Sequence, residues 1–322
     1  MLARLALAAM AVSSTALARE AGASDYPSRP VKLIAQGAAG SGPDVIARIV
    51  ADQLARLWGQ SVSIVNSTGG GGLLAAQAAA TAEPDGYTLY VPTITTFVIL
   101  PEMHDKLPVD LERDFARISV LAETPMVVAV GASTGIGSMQ ALIALAKSKP
   151  NEVFYAANNR GSLPHLTGEM LAYRTGTRLN FVPYPGAAAG LQDVLGGRVP
   201  MIVESVGALS AVIQAGSVKP LAVTSLQRLA QWSDVPTVAE TSPGFVAMGW
   251  IALMAPSRTP AAIVAKVNED VNRVLVMPEV IKRLQELGAS ARPMSIAEVA
   301  EFIRAEQRAW QPLVRQVGLK GQ

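Results

Sequence analysis

Few residues in this sequence could do covalent chemistry. There is no cysteine, and there are two histidines, His104 and His165. That removes thiol nucleophiles, disulfides, cysteine zinc sites and a lipid-modified N-terminal cysteine. The histidines are far apart and neither sits in an HExxH pattern, so hydrolytic metal chemistry is not expected, although a carboxylate-only site stays open. "GASTG", residues 131–135, has the GxSxG form of a serine-hydrolase elbow. An elbow serine needs an acid and then a histidine downstream. Between Ser133 and His165, the last histidine, the sole acid is Glu152. The string reads better as a loop before a helix capped by Ser138.

A different chemistry is written in "LIAQGAAGSGPDVIARIVADQL", residues 33–54. An apolar strand, a glycine-rich loop and an amphipathic helix follow one another. Such a loop leaves N–H groups free at a helix N-terminus, and their natural guest is an anion. Gly37, Gly40 and Gly42 are spaced GxxGxG, the reverse of a dinucleotide fingerprint, and no Lys-Ser/Thr follows them. The second strand ends in Val65-Asn66, where an acid would have to hold a ribose. A small carboxylate fits better. The alternative is a tight turn that uses glycine for its backbone freedom.

The elements around these loops alternate. Strands are expected at residues 31–35, 61–65, 87–91, 153–156, 180–184, 201–205 and 220–225. Helices are expected at 43–58, 73–82, 138–147, 163–173, 187–195 and 208–214. "ISVLAE" and "MVVAVG" read as two strands joined through Thr124-Pro125. The tail reads as helical, with starts at Thr259-Pro260 and Pro278 and a capping box from Ser295 to Glu298. Strand–helix alternation predicts an α/β fold of two lobes, each a mostly parallel sheet flanked by helices. Residues 24–125 with 235–322 would form one lobe, because the tail is expected to pack back on it, and 126–234 the other. Loops at the carboxyl ends of parallel strands then face a shared cleft. These are "TITT" (93–96), "NNRGSLPH" (158–165), "PYPGAAAG" (183–190) and "ESVGALS" (204–210). Ser162 also reads as a helix N-cap.

Composition narrows the partners. The net charge is +2, with Lys and Arg scattered, so neither nucleic acid nor an anionic membrane surface is implied. Half of the residues are hydrophobic and 16% are charged, which describes a packed globular chain. Residues 1–23 read as a secretory signal peptide: Arg4, a short apolar run over residues 5–12, and a cleavage site after Ala18 or Ala23. The run is far below the ~20 residues of a membrane span. Export to the periplasm is expected.

"YPSRPVKLI", "PDGYTL", "KLPVDLERDF", "YAANNRGSLPHLTGEM", "VPYPGAAAGLQDVLGG", "LAVTS", "DVPTVAE" and "PGFVAMGWIALMAP" fall in one order along the chain. Together they resemble the Bug receptors, the extracytoplasmic substrate-binding proteins of tripartite tricarboxylate transporters. The resemblance implies a two-lobed, type II periplasmic-binding-protein (flytrap) fold without catalysis or cofactor. Its ligand loop maps onto Ala39, Gly40, Ser41 and Asp44, and the loop of the second lobe onto Gly161, Ser162 and His165. The other strand-end loops add Thr93, Thr95, Arg160, Tyr184, Gly186, Ala187 and Glu204 as candidate ligand contacts. Arg160 is either the partner of a second ligand carboxylate or a solvated loop charge. The implied ligand is a small carboxylate: a mono- or dicarboxylic acid, an amino acid or a related metabolite. The implied partners are the transporter's permease subunits, and the receptor is expected to be a monomer. A receptor docking on a sensor kinase and an exported hydrolase using Ser133 are the alternatives. The chain departs from the family pattern at residues 65–68 (Val-Asn-Ser-Thr), at Pro185 and at Pro200.

Overall fold

The structure is a computed structural model that describes residues 25–318. The signal segment expected over residues 1–23 lies outside them. The first unit runs β1 (Val31–Ala35), α1 (Gly42–Trp58), β2 (Val62–Asn66), α2 (Leu73–Ala80) and β3 (Thr88–Val91). Pro43 opens α1, where its missing N–H costs nothing, and Gly59 closes the helix in the left-handed region at φ +63°. Ile46, Ile49, Val50 and Leu54 are each at most 2% exposed. Each such side chain contributes about 1.5–3 kcal/mol on burial, and this stripe holds α1 on the sheet. A short helix, α3 (Leu100–Met103), follows.

The second unit runs from β4 (Phe115–Gly131) through α4 (Met139–Ser148), β5 (Val153–Asn158), α5 (Leu163–Thr175), β6 (Leu179–Tyr184), α6 (Ala187–Leu195), β7 (Met201–Ser205), α7 (Val206–Gln214) and β8 (Val218–Val223). The chain returns along β9 (Met248–Pro256) and ends in α8 (Ala261–Leu275), α9 (Pro278–Glu286), β10 (Ser290–Ala291) and α10 (Ile296–Gln316). Ser295 and Glu298 form the expected capping box of α10.

The strand order is β2-β1-β3-β9-β4-β7-β5-β6, with β8 and β10 also paired to β4. β1 runs parallel to β2 and β3, and β5 runs parallel to β6 and β7. Two parallel βαβ cores are thus joined through the antiparallel strands β9 and β4. The junction differs from the reading of two strands broken at Thr124-Pro125. β4 is one 17-residue strand through Pro125. Its first part pairs with β9 up to Pro125↔Met248, and from Met126↔Ser205 onward it pairs with β7. A proline breaks a strand by removing a ladder donor, and here the missing donor falls where the strand changes partners. Thr224 fastens the same point: its hydroxyl accepts from the Met126 N–H at 2.8 Å and donates to the Ala247 carbonyl at 2.5 Å.

β9 is a central strand, and pattern reading does not reveal it. Eight of its nine residues are buried, so it carries no alternation to detect. The tail packs where β4 and β9 run together. Asn268 on α8 donates to the Ile118 carbonyl at 2.7 Å, and Gln307 on α10 donates to the Phe97 carbonyl at 3.1 Å. One apolar cluster runs from Tyr90, Phe97 and Phe115 through Trp250 to Tyr155 and Leu166, so the two parallel cores share packed side chains.

Candidate functional site

The loop between β1 and α1 is built around Asp44. This carboxylate is 1% exposed. It accepts from the Gly40 N–H and the Asn66 amide at 2.8 Å each, and from Nε and Nη2 of Arg48 at 2.9 Å each. Burial alone would raise its pKa, but the bonds from Arg48, Asn66 and Gly40 together hold it below the usual range. Asn66 also donates to the Gly37 carbonyl at 2.8 Å. Both oxygens of Asp44 are therefore committed to the loop itself. Gly40 sits at φ +78°, a conformation glycine adopts without strain. Ser41 is the N-cap of α1, but its hydroxyl makes no capping bond and is buried without a partner. Ala39 and Gly40 are exposed. The first-turn N–H groups of Gly42 and Asp44 precede any intrahelical acceptor, so they stay available at this end.

Thr93 and Thr95 lie in the adjacent turn after β3. Their place is set by Gln36, directly after β1. Its amide donates to Thr93 Oγ1 at 2.8 Å and accepts the Thr93 N–H at 3.2 Å, and Thr93 Oγ1 accepts the Thr95 N–H at 3.3 Å. The stretch 93–96, read as a loop, becomes helical from Thr95 onward.

The loop between β5 and α5 is pinned from inside. Gly161, at φ +80°, donates its N–H to Nδ1 of His165 at 3.1 Å. The ring is 1% exposed and packs against Phe181, tilted by 41° with centroids 4.0 Å apart. Burial, and after it the Arg160 charge, lowers the His165 pKa to about 4. The ring is thus neutral, with its proton on Nε2, 3.7 Å from Glu169. Ser162 is the N-cap of α5 and accepts from the His165 N–H at 3.3 Å. Arg160 is exposed, its guanidinium 5.9 Å from the centre of the Phe181 ring. In the next loop, Gly186 and Ala187 start α6, while the Tyr184 hydroxyl donates to Asp193 at 2.6 Å.

Glu204 ends β7. It is 5% exposed, and Oε1 accepts the Ser205 N–H at 2.7 Å while Oε2 is buried without a partner. The parallel register Tyr155↔Met201, carried to the strand ends, sets Asn158 beside Glu204. The Oδ1 atom of Asn158 is likewise buried without a partner.

These ends meet across the molecule. A Cβ on Gly42, at the start of α1, would lie 3.9 Å from the Ser205 hydroxyl at the start of α7. A Cβ on Gly161 would collide with Met103 at the end of α3. A Cβ on Gly249 of β9 would lie 3.1 Å from Leu163. The first loop and the ends of β5 and β7 therefore share one region. The α6 start has no described contact with the first loop. Gln36, Asn66 and Asn158 were not among the residues picked from sequence. Each is a polar residue at the carboxyl end of an apolar strand, and that position was the available signal.

Ser133 lies elsewhere. It is exposed, in a turn after the carboxyl end of β4. β4 runs antiparallel to β7 with Val130 opposite Met201 and Met126 opposite Ser205. Ser133 thus sits at the other end of the sheet, four residues or roughly 13 Å along the strand, and does not meet His165. A surface cavity of about 500 Å³, lined by Gln77, Pro84, Pro108, Arg113 and Arg258, lies at the amino end of β3, also away from these loops.

Two parallel cores joined by shared strands, with unsatisfied polar groups where their strand ends meet, define a two-lobed solute-binding protein. Residues 46–319 match the profile described as "Tripartite tricarboxylate transporter family receptor". The chain belongs to this family, TctC. Solved structures agree. Rpa4515 of R. palustris, determined with adipate, is 32% identical at a TM-score of 0.86, covering 91% of this chain and 99% of its own. The periplasmic binding protein BugD is 28% identical at 0.82, covering 92% and 100%. MatC of Rhodopseudomonas palustris, with bound malate, is 29% identical at 0.80, covering 90% and 100%. Family and neighbours are solute-binding proteins. No helix among the described residues is long and apolar enough to cross a membrane.

Proposed function

We propose that this chain is a periplasmic receptor that closes two lobes, residues 24–125 with 235–322 and residues 126–234, on a small carboxylate and delivers it to the permease subunits of a tripartite tricarboxylate transporter. The observation that carries this reading is the set of buried, partnerless polar atoms in the loop and strand ends that share one region: Asn158 Oδ1 and Glu204 Oε2 on neighbouring strand ends, and Ser41 Oγ, which lies against Gly37 in the first loop. Such atoms cost about 1–3 kcal/mol each when left bare, so a ligand or its waters would find them ready. The free first-turn N–H groups of α1, α5, α6 and α7 supply donors for a negative group. Asp44 and His165 act one step back, fixing the loops that present those donors. Relatives holding adipate and malate support a dicarboxylate. Four charge-assisted hydrogen bonds at the upper end of ~1.5–3 kcal/mol each, less about 4 kcal/mol for association, come to about −8 kcal/mol, or roughly micromolar.

The test is native mass spectrometry of the purified chain, followed by titration with adipate, malate and matched monocarboxylates, and by small-angle scattering with and without ligand. One equivalent bound near micromolar affinity, with a smaller radius of gyration, is expected. No binding of any acid, together with no carried ligand, overturns the reading.

A further inference from the structure

Glu204 is a carboxylic acid placed where an anion is to be held. Two ionised carboxylates in contact at a buried site repel strongly. The geometry gives a way out. Oε1 already takes the Ser205 N–H, so the oxygen left bare is Oε2. A proton there would make a donor instead of a repelling charge. We propose that Glu204 is a specificity residue that meets the ligand as a neutral acid, donating a hydrogen bond from Oε2 to a ligand carboxylate, so that binding of the dianion takes up one proton from solvent above neutral pH. This rests on the reading of the strand ends as a carboxylate site.

The surroundings agree. Burial raises the Glu204 pKa to about 7; the Ser205 N–H bond offsets part of it, as do the Ser205 hydroxyl and Asn158 side chain, which lie close by without making a hydrogen bond to Oε2. β4 offers Val127 opposite Glu204, β5 offers Asn158, and α1 brings Gly42 to Ser205. Among the titratable groups on helices packed against β7, α5 carries the neutral His165, Glu169 and, in its last turn, Arg174, with Arg160 just before the helix, and α6 carries Asp193, paired with Arg198. In relatives whose ligands are adipate and malate, both carboxyl groups are ionised across pH 6–8, so a pH slope in that range would come from the protein.

The experiment is calorimetric titration of the wild-type chain with adipate and with malate at pH 6, 7 and 8, each in two buffers of different ionisation enthalpy. If only the protonated form binds, affinity falls about tenfold from pH 6 to pH 8, and the buffer difference reports nearly one proton taken up at pH 8. Glu204→Gln keeps a donor and cannot titrate, so its affinity should be flat over this range with no proton uptake. Binding by the wild type without a slope, or binding that strengthens at pH 8, overturns the role given to Glu204. So does a Glu204→Gln chain that keeps the wild-type slope. The wild-type proton count alone decides the matter if that variant does not fold. Failure of both acids to bind at every pH is a different result: it removes the carboxylate site itself, and this proposal with it.

Discussion

Asp44 tests how the first loop is held. In Asp44→Ala, four donors lose their acceptor: the Gly40 N–H, the Asn66 amide, and Nε and Nη2 of Arg48. Breaking a fully buried ion pair costs about 3–5 kcal/mol. The Arg48 side chain is 46% exposed, though, and Gly40 is at the surface, so both turn to water. The half-buried Asn66 amide is the partner left short, at about 1–3 kcal/mol. A total of about 2–3 kcal/mol follows, which calorimetry should read as a fall of roughly 3–5 °C in the ligand-free melting temperature of a chain this long. Asp44 titrates below 3.8 in the fold, so its contribution is complete above that pH and is lost as pH falls through the lowered value. The deficit of the variant should therefore be constant from pH 5 to 8 and shrink only below about 4. Affinity for adipate should drop about five- to thirtyfold if binding must then order one residue's worth of loop backbone, at about 1–2 kcal/mol. An unchanged melting temperature would refute the clamp. An affinity loss without any stability loss would mean instead that Asp44 touches the ligand.

Gly161→Ala should destabilise by about 1–3 kcal/mol, since φ is +80° and the added methyl meets Met103 across the molecule; urea unfolding reads the cost, and a variant as stable as wild type would show that α3 is not seated against this loop. His165→Asn keeps an acceptor for the Gly161 N–H but removes a titrating ring. The folded pKa near 4 lies below the unfolded 6.5, so the contribution of neutral His165 is complete above pH 6.5 and is lost as pH falls through 4. Over that window the wild type should lose on the order of 3 kcal/mol that the variant does not lose; parallel stability-versus-pH curves would count against a neutral, buried ring.

What the sequence made legible follows from how local each signal is. β1 (Val31–Ala35) and α6 (Ala187–Leu195) fall where their apolar spacing and flanking glycines put them. Capping at Ser138, Ser162 and Ser295 involves residues three positions apart, so it too can be read along the chain. The helix at 95–99 escaped because its threonines and β-branched neighbours look like a loop or a strand. β9 escaped because a strand buried on both faces has no period, and Pro125 misled because its missing donor matters only where the partner strand is known. At the site, the glycine and serine loops were visible. What holds them was not: Gln36 reaches Thr93 across 57 positions, and Asn66 reaches Asp44 across 22.

That division has a physical origin. A pocket that grips its guest through main-chain donors must first immobilise the main chain, and its conspicuous polar side chains are used up in doing so. Asp44 and His165 are the strongest examples: the most chemically suggestive residues of their loops, yet each is buried and bonded to a neighbouring glycine N–H. On the proposed reading, discrimination between one acid and another then falls to the buried atoms left bare in these loops, Ser41 Oγ, Asn158 Oδ1 and Glu204 Oε2. Exchanging those three should change which acid is taken while the loops keep their shape, whereas exchanging the clamps should weaken every acid alike.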